Sequence, residues 1–267
     1  MTISKMILKV IRSRMTGSVL VVFTLFLFSA HAQQTAIGVH GGISIPNLTS
    51  SGSEQNPLNT GYSSRLGPEF SVFAEFKISD LFSIEPMIQY SSQGGKKNGQ
   101  QAFPIPSGLA NMFPSGQVPP YLYANFSSEA ILDYLMIPVL AKFGHSFKQS
   151  PWRIYAQVGP FVGFLVSAKQ VTSGQSQIYL DPAGTQPLPI GSQSFDNTQD
   201  IKNQLNTTNF GVEGGIGLNY AFGLNNLFFE AGGNYGFLNI QKGTANGQNN
   251  TGAATITLGY SHWIGKK

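Results

Sequence analysis

The chain alternates apolar and polar residues in eight segments, separated by turn- and loop-rich stretches. The segments span residues 35–45, 67–78, 82–91, 130–143, 152–169, 208–220, 227–240 and 253–264. In the first, Ile37, Val39, Ile43 and Ile45 oppose Gly38, His40 and Ser44. In the second, Phe70, Val72, Ala74, Phe76 and Ile78 share one parity, and Glu69, Ser71, Glu75 and Lys77 share the other. In the sixth, Phe210, Val212, Ile216, Leu218 and Tyr220 oppose Asn209, Glu213 and Asn219. The fourth reads as apolar on both faces. A period of two marks a strand with two unlike faces. Helical stripes at i, i+3, i+4 are absent, and glycine and β-branched residues are too frequent for helices.

The connections alternate in length. Residues 46–66, 92–129 and 170–207 are long; 79–81, 144–151 and 221–226 are short; 241–252 is intermediate. Long and short loops at alternate ends are the pattern of an up-and-down barrel crossing an outer membrane, with short turns on the periplasmic side. The fold predicted is all-β, an eight-stranded antiparallel transmembrane barrel with both termini periplasmic. A soluble β-sandwich also alternates, but its water-facing side would be rich in Lys and Glu. Here the polar face is Gly, Ser, Asn, Thr and a few acids, and small residues suit the interior of a narrow barrel. Pro68, Pro86, Pro138 and Pro160 fall inside these strands. Proline cannot donate to a ladder and a closed barrel has no free edge, so these prolines are expected at bulges or strand ends.

Charge sharpens the picture. Only 10% of the 267 residues are charged, against about 25% in an average soluble domain. The formal net charge is +4. Lys5, Lys9, Arg12 and Arg14 account for all of it, and the chain after residue 32 is neutral. That basic stretch precedes the apolar run 19–28 and then Ala30-His31-Ala32, the layout of a signal peptide. The domains expected are a signal peptide at 1–32 and a barrel domain at 33–267. No apolar run reaches the ~18 to 20 residues that a spanning helix needs. Basic residues cluster only at Lys96-Lys97 and Lys266-Lys267, so no nucleic-acid partner is expected. The absence of cysteine rules out disulfides, thiolate metal sites and a Cys nucleophile.

Several segments resemble the PorT-like outer-membrane β-barrel family, often labelled the porin family. Residues 83–94 read SIEPMIQYSSQG, 132–143 read LDYLMIPVLAKF, and 154–169 read IYAQVGPFVGFLVSAK. Residues 209–220 read NFGVEGGIGLNY, 229–240 read FEAGGNYGFLNI, and 255–263 read TITLGYSHW. Each is similar to the strand that the family carries at that place, and Pro86, Pro138 and Pro160 fall where the family pattern has proline. Met136, Gly233 and Met87 replace a usual Glu, a usual Arg and a common Glu. An acid–base pair that the resemblance implies for the lumen is therefore missing at those positions. The resemblance implies fold and an outer-membrane location rather than an activity; one member assists a protein-secretion system.

Motifs that carry chemistry are largely absent. The sequence holds no metal-binding or P-loop motif, and no catalytic, cofactor-binding or metal-binding residue is assigned. An outer-membrane barrel enzyme would place His with Ser or Asp at the outer rim. His145 falls in a short turn, His262 at the periplasmic end of the last strand, and His40 mid-strand, so no enzyme is expected. On a bacterial reading, the Asn-x-Ser/Thr matches at Asn47, Asn125, Asn206 and Asn249 are coincidental in an Asn/Thr-rich chain. By parity, His40, Glu75, Lys77, Glu85, Lys142, Arg153, Glu213 and Glu230 form a network in the lumen, plugging it, because buried charges must pair. Phe103, Phe113, Tyr121, Tyr123, Phe126 and Tyr179 form a candidate outer-loop surface. The function expected is surface binding or shielding by a barrel with a filled lumen. A narrow channel, or an accessory to a secretion machine, is the alternative. The partners expected are outer-membrane lipid, the barrel-assembly machinery, which would read Ile256, Leu258, Tyr260 and the Trp263-Ile264 end, and a protein or glycan at the outer loops. The barrel is expected to be a monomer.

Overall fold

The computed structural model describes residues 34–50, 56–114, 116–243 and 247–264, so the predicted signal peptide lies outside the described residues. Eight long strands form the frame. They are β1 (Thr35–Ser50), β2 (Gly67–Lys77), β3 (Phe82–Phe103), β4 (Leu122–Ser146), β5 (Trp152–Ser173), β9 (Thr208–Phe222), β10 (Asn225–Gly236) and β11 (Asn249–Ile264). Three short strands, β6 (Gln175–Ser176), β7 (Gln193–Ser194) and β8 (Asn197–Asp200), lie between β5 and β9. Each long strand pairs antiparallel with the next. β1 meets β11 from Thr35↔Ile264 to Ser50↔Asn249, which closes the ring. Closure leaves no edge along the ring of eight wall strands.

The two walls are the reverse of a soluble protein's. Phe70, Ile216 and Leu258 face outward and are 57%, 63% and 68% exposed. Glu69, Glu85 and Gln89 face inward and are at most 1% exposed. An apolar belt of this extent in water would forgo roughly 25 cal/mol for each Å² left uncovered. Lipid is the solvent in which this surface is favourable, and a closed ring satisfies every wall strand without water.

The fourth predicted segment is not uniformly buried. Leu132, Tyr134, Met136 and Leu140 point inward, and Leu135, Ile137, Val139 and Phe143 point outward. Both sets are apolar because the inward set packs against other apolar side chains in the lumen.

The long loops are shorter than expected. β3 and β4 are 22 and 25 residues long, at least twice the ~9 to 11 that cross a bilayer. They stay paired from Phe82↔Phe143 to Phe103↔Leu122. Most of residues 92–129 is therefore a hairpin projecting beyond the barrel, with a connection at 104–121 that holds the one-turn helix Ser107–Ala110. Residues 92–101 are polar and rich in glycine, so no apolar alternation betrays the strand there. β5 likewise runs on to Ser173, and His145 lies within β4 rather than in the turn after it.

Three of the prolines also differ from expectation. The β4–β5 ladder shifts register between Asp133 and Tyr134, at neither a proline nor its neighbour. Pro86, Pro138 and Pro160 sit mid-strand, in register. Each pairs toward the following strand, as Pro86↔Val139, Pro138↔Phe161 and Pro160↔Val212. On the side of the preceding strand, each ladder skips two consecutive residue pairs, one of which includes the proline. A missing N–H costs one side of the ladder and leaves the other intact. Pro68 lies at the second position of β2, near a strand end as expected.

Candidate functional site

The lumen is filled in layers. At its centre Lys142 Nζ lies 2.6 Å from Glu85 Oε2, 3.5 Å from Glu75 Oε2 and 4.0 Å from Glu230 Oε1. The strand register brings these groups together: Ser83 of β3 pairs with Lys142 of β4, setting Glu85 diagonally opposite the lysine. Ser83 Oγ donates to Glu75 at 2.6 Å, and Arg153 Nη1 approaches Glu75 at 3.4 Å. Tyr155 donates its hydroxyl to Glu230 at 2.7 Å, and its ring lies 4.4 Å from Lys142 Nζ. Gly217 pairs with Tyr155 across β5 and β9. A Cβ at Gly217 would strike the tyrosine ring, so the missing side chain makes room for it.

An apolar collar adjoins this cluster. Phe73 and Phe228 meet edge to face at 5.7 Å between centroids, beside Met87 and Leu140. His40 is buried 6.1 and 6.4 Å from those two rings, and neither of its ring nitrogens has a hydrogen-bond partner among the described residues. Next comes a polar layer. Ser91 donates to Glu69, and Gln93 donates to Ser91 at 2.8 Å and to Asn234 at 3.3 Å. Glu213 pairs across the ladder with Asn234, and one of its carboxylate oxygens is buried without a partner among the described residues. Buried groups of this kind call for water as the partner.

The long-loop end is capped. Leu48, Leu132, Tyr134, Phe161 and Leu165 from the wall pack with Ile201, Leu205 and Ile240 from two loops. Those loops are tied together by Asn206 N–H donating to the Ile240 carbonyl and by the Leu205↔Gln241 bridge. Asn249 donates to the Asn59 carbonyl and Lys97 to that of Leu58, drawing the first loop over the same opening. At the short-turn end a cavity of about 520 Å³ leads in to Glu75, Lys142 and Arg153.

The predicted network thus divides. Glu75, Glu85, Lys142, Arg153 and Glu230 come together. Lys77 does not; it turns to the mouth and pairs with the exposed Asp80 at 2.8 Å, where the hydrogen bond and charge of Lys77 hold the Asp80 carboxyl below its usual pKa. His40 and Glu213 are inside but apart from this cluster; both His40 ring nitrogens and one Glu213 oxygen lack a partner among the described residues. Glu69, Tyr155, Phe73 and Phe228 complete the layers and were missed. Glu69 shares its parity with Glu75, a signal that was present; the two phenylalanines break the parity of their strands.

Beyond the barrel, the hairpin of β3 and β4 carries a small core of its own. Phe126 stacks on Phe195 at 4.5 Å, and Phe103 meets both edge to face. Leu122, Ile178 and Leu188 are buried beside them, flanked by Phe113. This corrects the expected aromatic surface at Phe126. Phe126 is buried, Phe103, Phe113, Tyr121, Tyr123 and Tyr179 are half-buried, and the backbones of Tyr123 and Tyr179 bond to each other. The apolar side chains pin residues 174–195 to the hairpin rather than facing outward. Asp181 closes the turn that follows Tyr179, accepting from Thr185 N–H at 3.0 Å and Gln186 N–H at 2.7 Å. Desolvation pushes its carboxyl up, but these main-chain donors outweigh it and the pKa falls below the ordinary 3.8.

Among the described residues no group of His, Asp and Glu is arranged to hold a metal ion, and no helix is long and apolar enough to cross a membrane. A closed eight-stranded ring with an apolar outer belt and a polar, filled lumen defines an outer-membrane β-barrel. The family described as outer membrane protein beta-barrel domain matches residues 31–242, and the chain belongs to it. Its place is the bacterial outer membrane. No curated protein matches the sequence. Among solved structures, a major outer membrane protein from Thermus thermophilus is similar at 11% identity, with 88% of this chain and 100% of that chain covered and a TM-score of 0.42. Neisserial surface protein A is similar at 16% identity, covering 85% and 97%, with a TM-score of 0.35. The attachment invasion locus protein of Yersinia pestis is similar at 10% identity, covering 86% and 98%, with a TM-score of 0.34.

Proposed function

We propose that the protein is a non-enzymatic, monomeric outer-membrane barrel with a closed lumen, whose hairpin projection is a binding surface outside the cell. The observation that carries this reading is the combination of two closures with one folded protrusion. The ion-paired cluster around Lys142 and the apolar cap over Leu132 both block the lumen. The β3–β4 hairpin meanwhile holds an ordered core beyond the barrel, which a transport function would not need. Three short turns, the start of β1 and the end of β11 share one end of the barrel, which supports periplasmic termini, because short turns face the periplasm. The signal sequence at 1–32 supports export, and the apolar outward face of β11, with Ile256, Leu258 and Tyr260, supports recognition by the assembly machinery. The resemblance to PorT-like barrels supports a place in that subgroup. A narrow channel is the weaker reading, since a conducting path would have to displace buried charge.

The chain has no cysteine, so single cysteines report orientation cleanly. Val118 is exposed in the long-loop connection and Lys148 in a short turn. On intact cells, a membrane-impermeant maleimide should label Val118→Cys and should label Lys148→Cys only after lysis. Any other pattern contradicts the reading.

A further inference from the structure

The projection carries an open surface groove of about 620 Å³, where the upper ends of β3, β4 and β5 meet β6. Its lining includes the residues Asn98, Asn125, Gln175 and Gln177, four serines, the half-buried Tyr179 and part of Phe126. No Asp, Glu, Lys, Arg or His is among the described residues that line it. The chain turns into it at Gly174, whose φ of 127° a residue with a side chain would resist. Asn98 accepts from Ser127 at 2.7 Å, leaving its NH₂ group free. Among the described residues, the side-chain amides of Asn125, Gln175 and Gln177 have no partner.

We infer that this groove binds a neutral saccharide. The inference rests on the reading that the projection lies outside the cell. Each free amide offers both a donor and an acceptor, as a ligand covered in hydroxyl groups requires. An aromatic ring beside them can cover the apolar C–H face of a sugar ring. Phosphate, sulfate or carboxylate groups would call for Arg or Lys, and the groove has neither. A peptide would call for a free strand edge or an apolar anchor pocket. A hydrocarbon would call for a lining that is mostly apolar. The groove falls within the size range of small-ligand sites, roughly 300–1,000 Å³. Its framework is fixed independently of any ligand, by Asn125 N–H donating to Ser176 Oγ at 3.0 Å and by the stacking of Phe126 on Phe195.

The test is saturation-transfer NMR on the folded full-length barrel in detergent. The probes are neutral oligosaccharides (chitotetraose, maltotetraose, cellotetraose and a mannotetraose), with a sulfated heparin tetrasaccharide as the charged control. At least one neutral probe should receive saturation. The double variant Asn125→Ala/Gln177→Ala, which removes two exposed amides with no structural bond, should weaken that probe at least tenfold. Its folded band on an unheated gel should stay unchanged. Tyr179→Phe keeps the ring and should retain binding. Silence from every neutral probe, a preference for the sulfated control, or binding indifferent to the double variant each overturns the assignment. If Val118→Cys is labelled on intact cells while the neutral probes stay silent, the outward projection stands and only the saccharide assignment falls.

Discussion

Lys142 and Glu85 meet inside the barrel with 2.6 Å between Nζ and Oε2, on adjacent strands, both almost wholly buried. Neither charge is tolerable there alone. Glu75 and Glu230 also lean on the same lysine, so Lys142 is the cation that three carboxylates share. Removing one member of a buried pair costs about 3–5 kcal/mol, because the other is left uncompensated. Lys142→Met should therefore destabilise the barrel by about that amount in urea unfolding from lipid vesicles. The double variant Lys142→Met/Glu85→Gln should lose less than the two single variants summed. Strict additivity would show that the two groups do not interact.

Tyr155 owes its place to Gly217. A Cβ at that glycine would strike the ring whose hydroxyl bonds Glu230. Gly217→Ala should cost about 1–3 kcal/mol through overpacking, read in the same unfolding assay. The double variant Gly217→Ala/Tyr155→Phe should not relieve the clash, whereas Gly217→Ala/Tyr155→Ala should relieve part of it.

Phe195 joins the connection between β5 and β9 to the hairpin through its stack on Phe126. Phe195→Ala should loosen residues 174–200 without touching the barrel. Limited proteolysis there should speed up by roughly tenfold, equivalent to about 1.4 kcal/mol of local opening. The folded band on an unheated gel should remain. Loss of that band would mean that the projection is part of the barrel's own stability.

The turn at Asp181 should respond to pH. Its carboxyl is held below the ordinary 3.8 by main-chain donors, so it favours the folded turn when ionised. That contribution is present above the ordinary pKa and is lost as pH falls through the lower folded value. Amide exchange at Thr185 and Gln186 should therefore stay slow at pH 5 and quicken in the acid range below pH 3.8. Asp181→Asn should give fast exchange at both.

Parity alone carried the barrel a long way. Glu75 and Phe76 fall on opposite walls because a strand repeats every two residues, and this needs no knowledge of partners. The alternation of long and short connections then fixed which strands are neighbours. Parity failed where both faces see the same kind of surroundings. Residues 92–101 pass above the lipid belt, so neither face needs to be apolar, and a paired strand read as a loop. It also failed at Phe73 and Phe228, which are apolar yet face inward to form the collar. Lys77 shares the parity of Glu75 but lies one pair nearer the mouth, where the exposed Asp80 competes for it. The loop aromatics were visible in the sequence, but their partners, Phe195 above all, are far away along the chain.

The proposed closure of the lumen rests on two levels, the charges around Lys142 and the apolar cap over Leu132. Single-channel recording of the folded protein in a planar bilayer reads that closure without an intermediary. A lumen blocked twice should give a baseline without steady conductance steps for the wild type. Steps should come only when both levels are opened, by Lys142→Ala/Glu85→Ala together with Leu132→Gly/Phe161→Gly. A large, stable open-channel conductance from the wild-type barrel would show that the lumen is not closed.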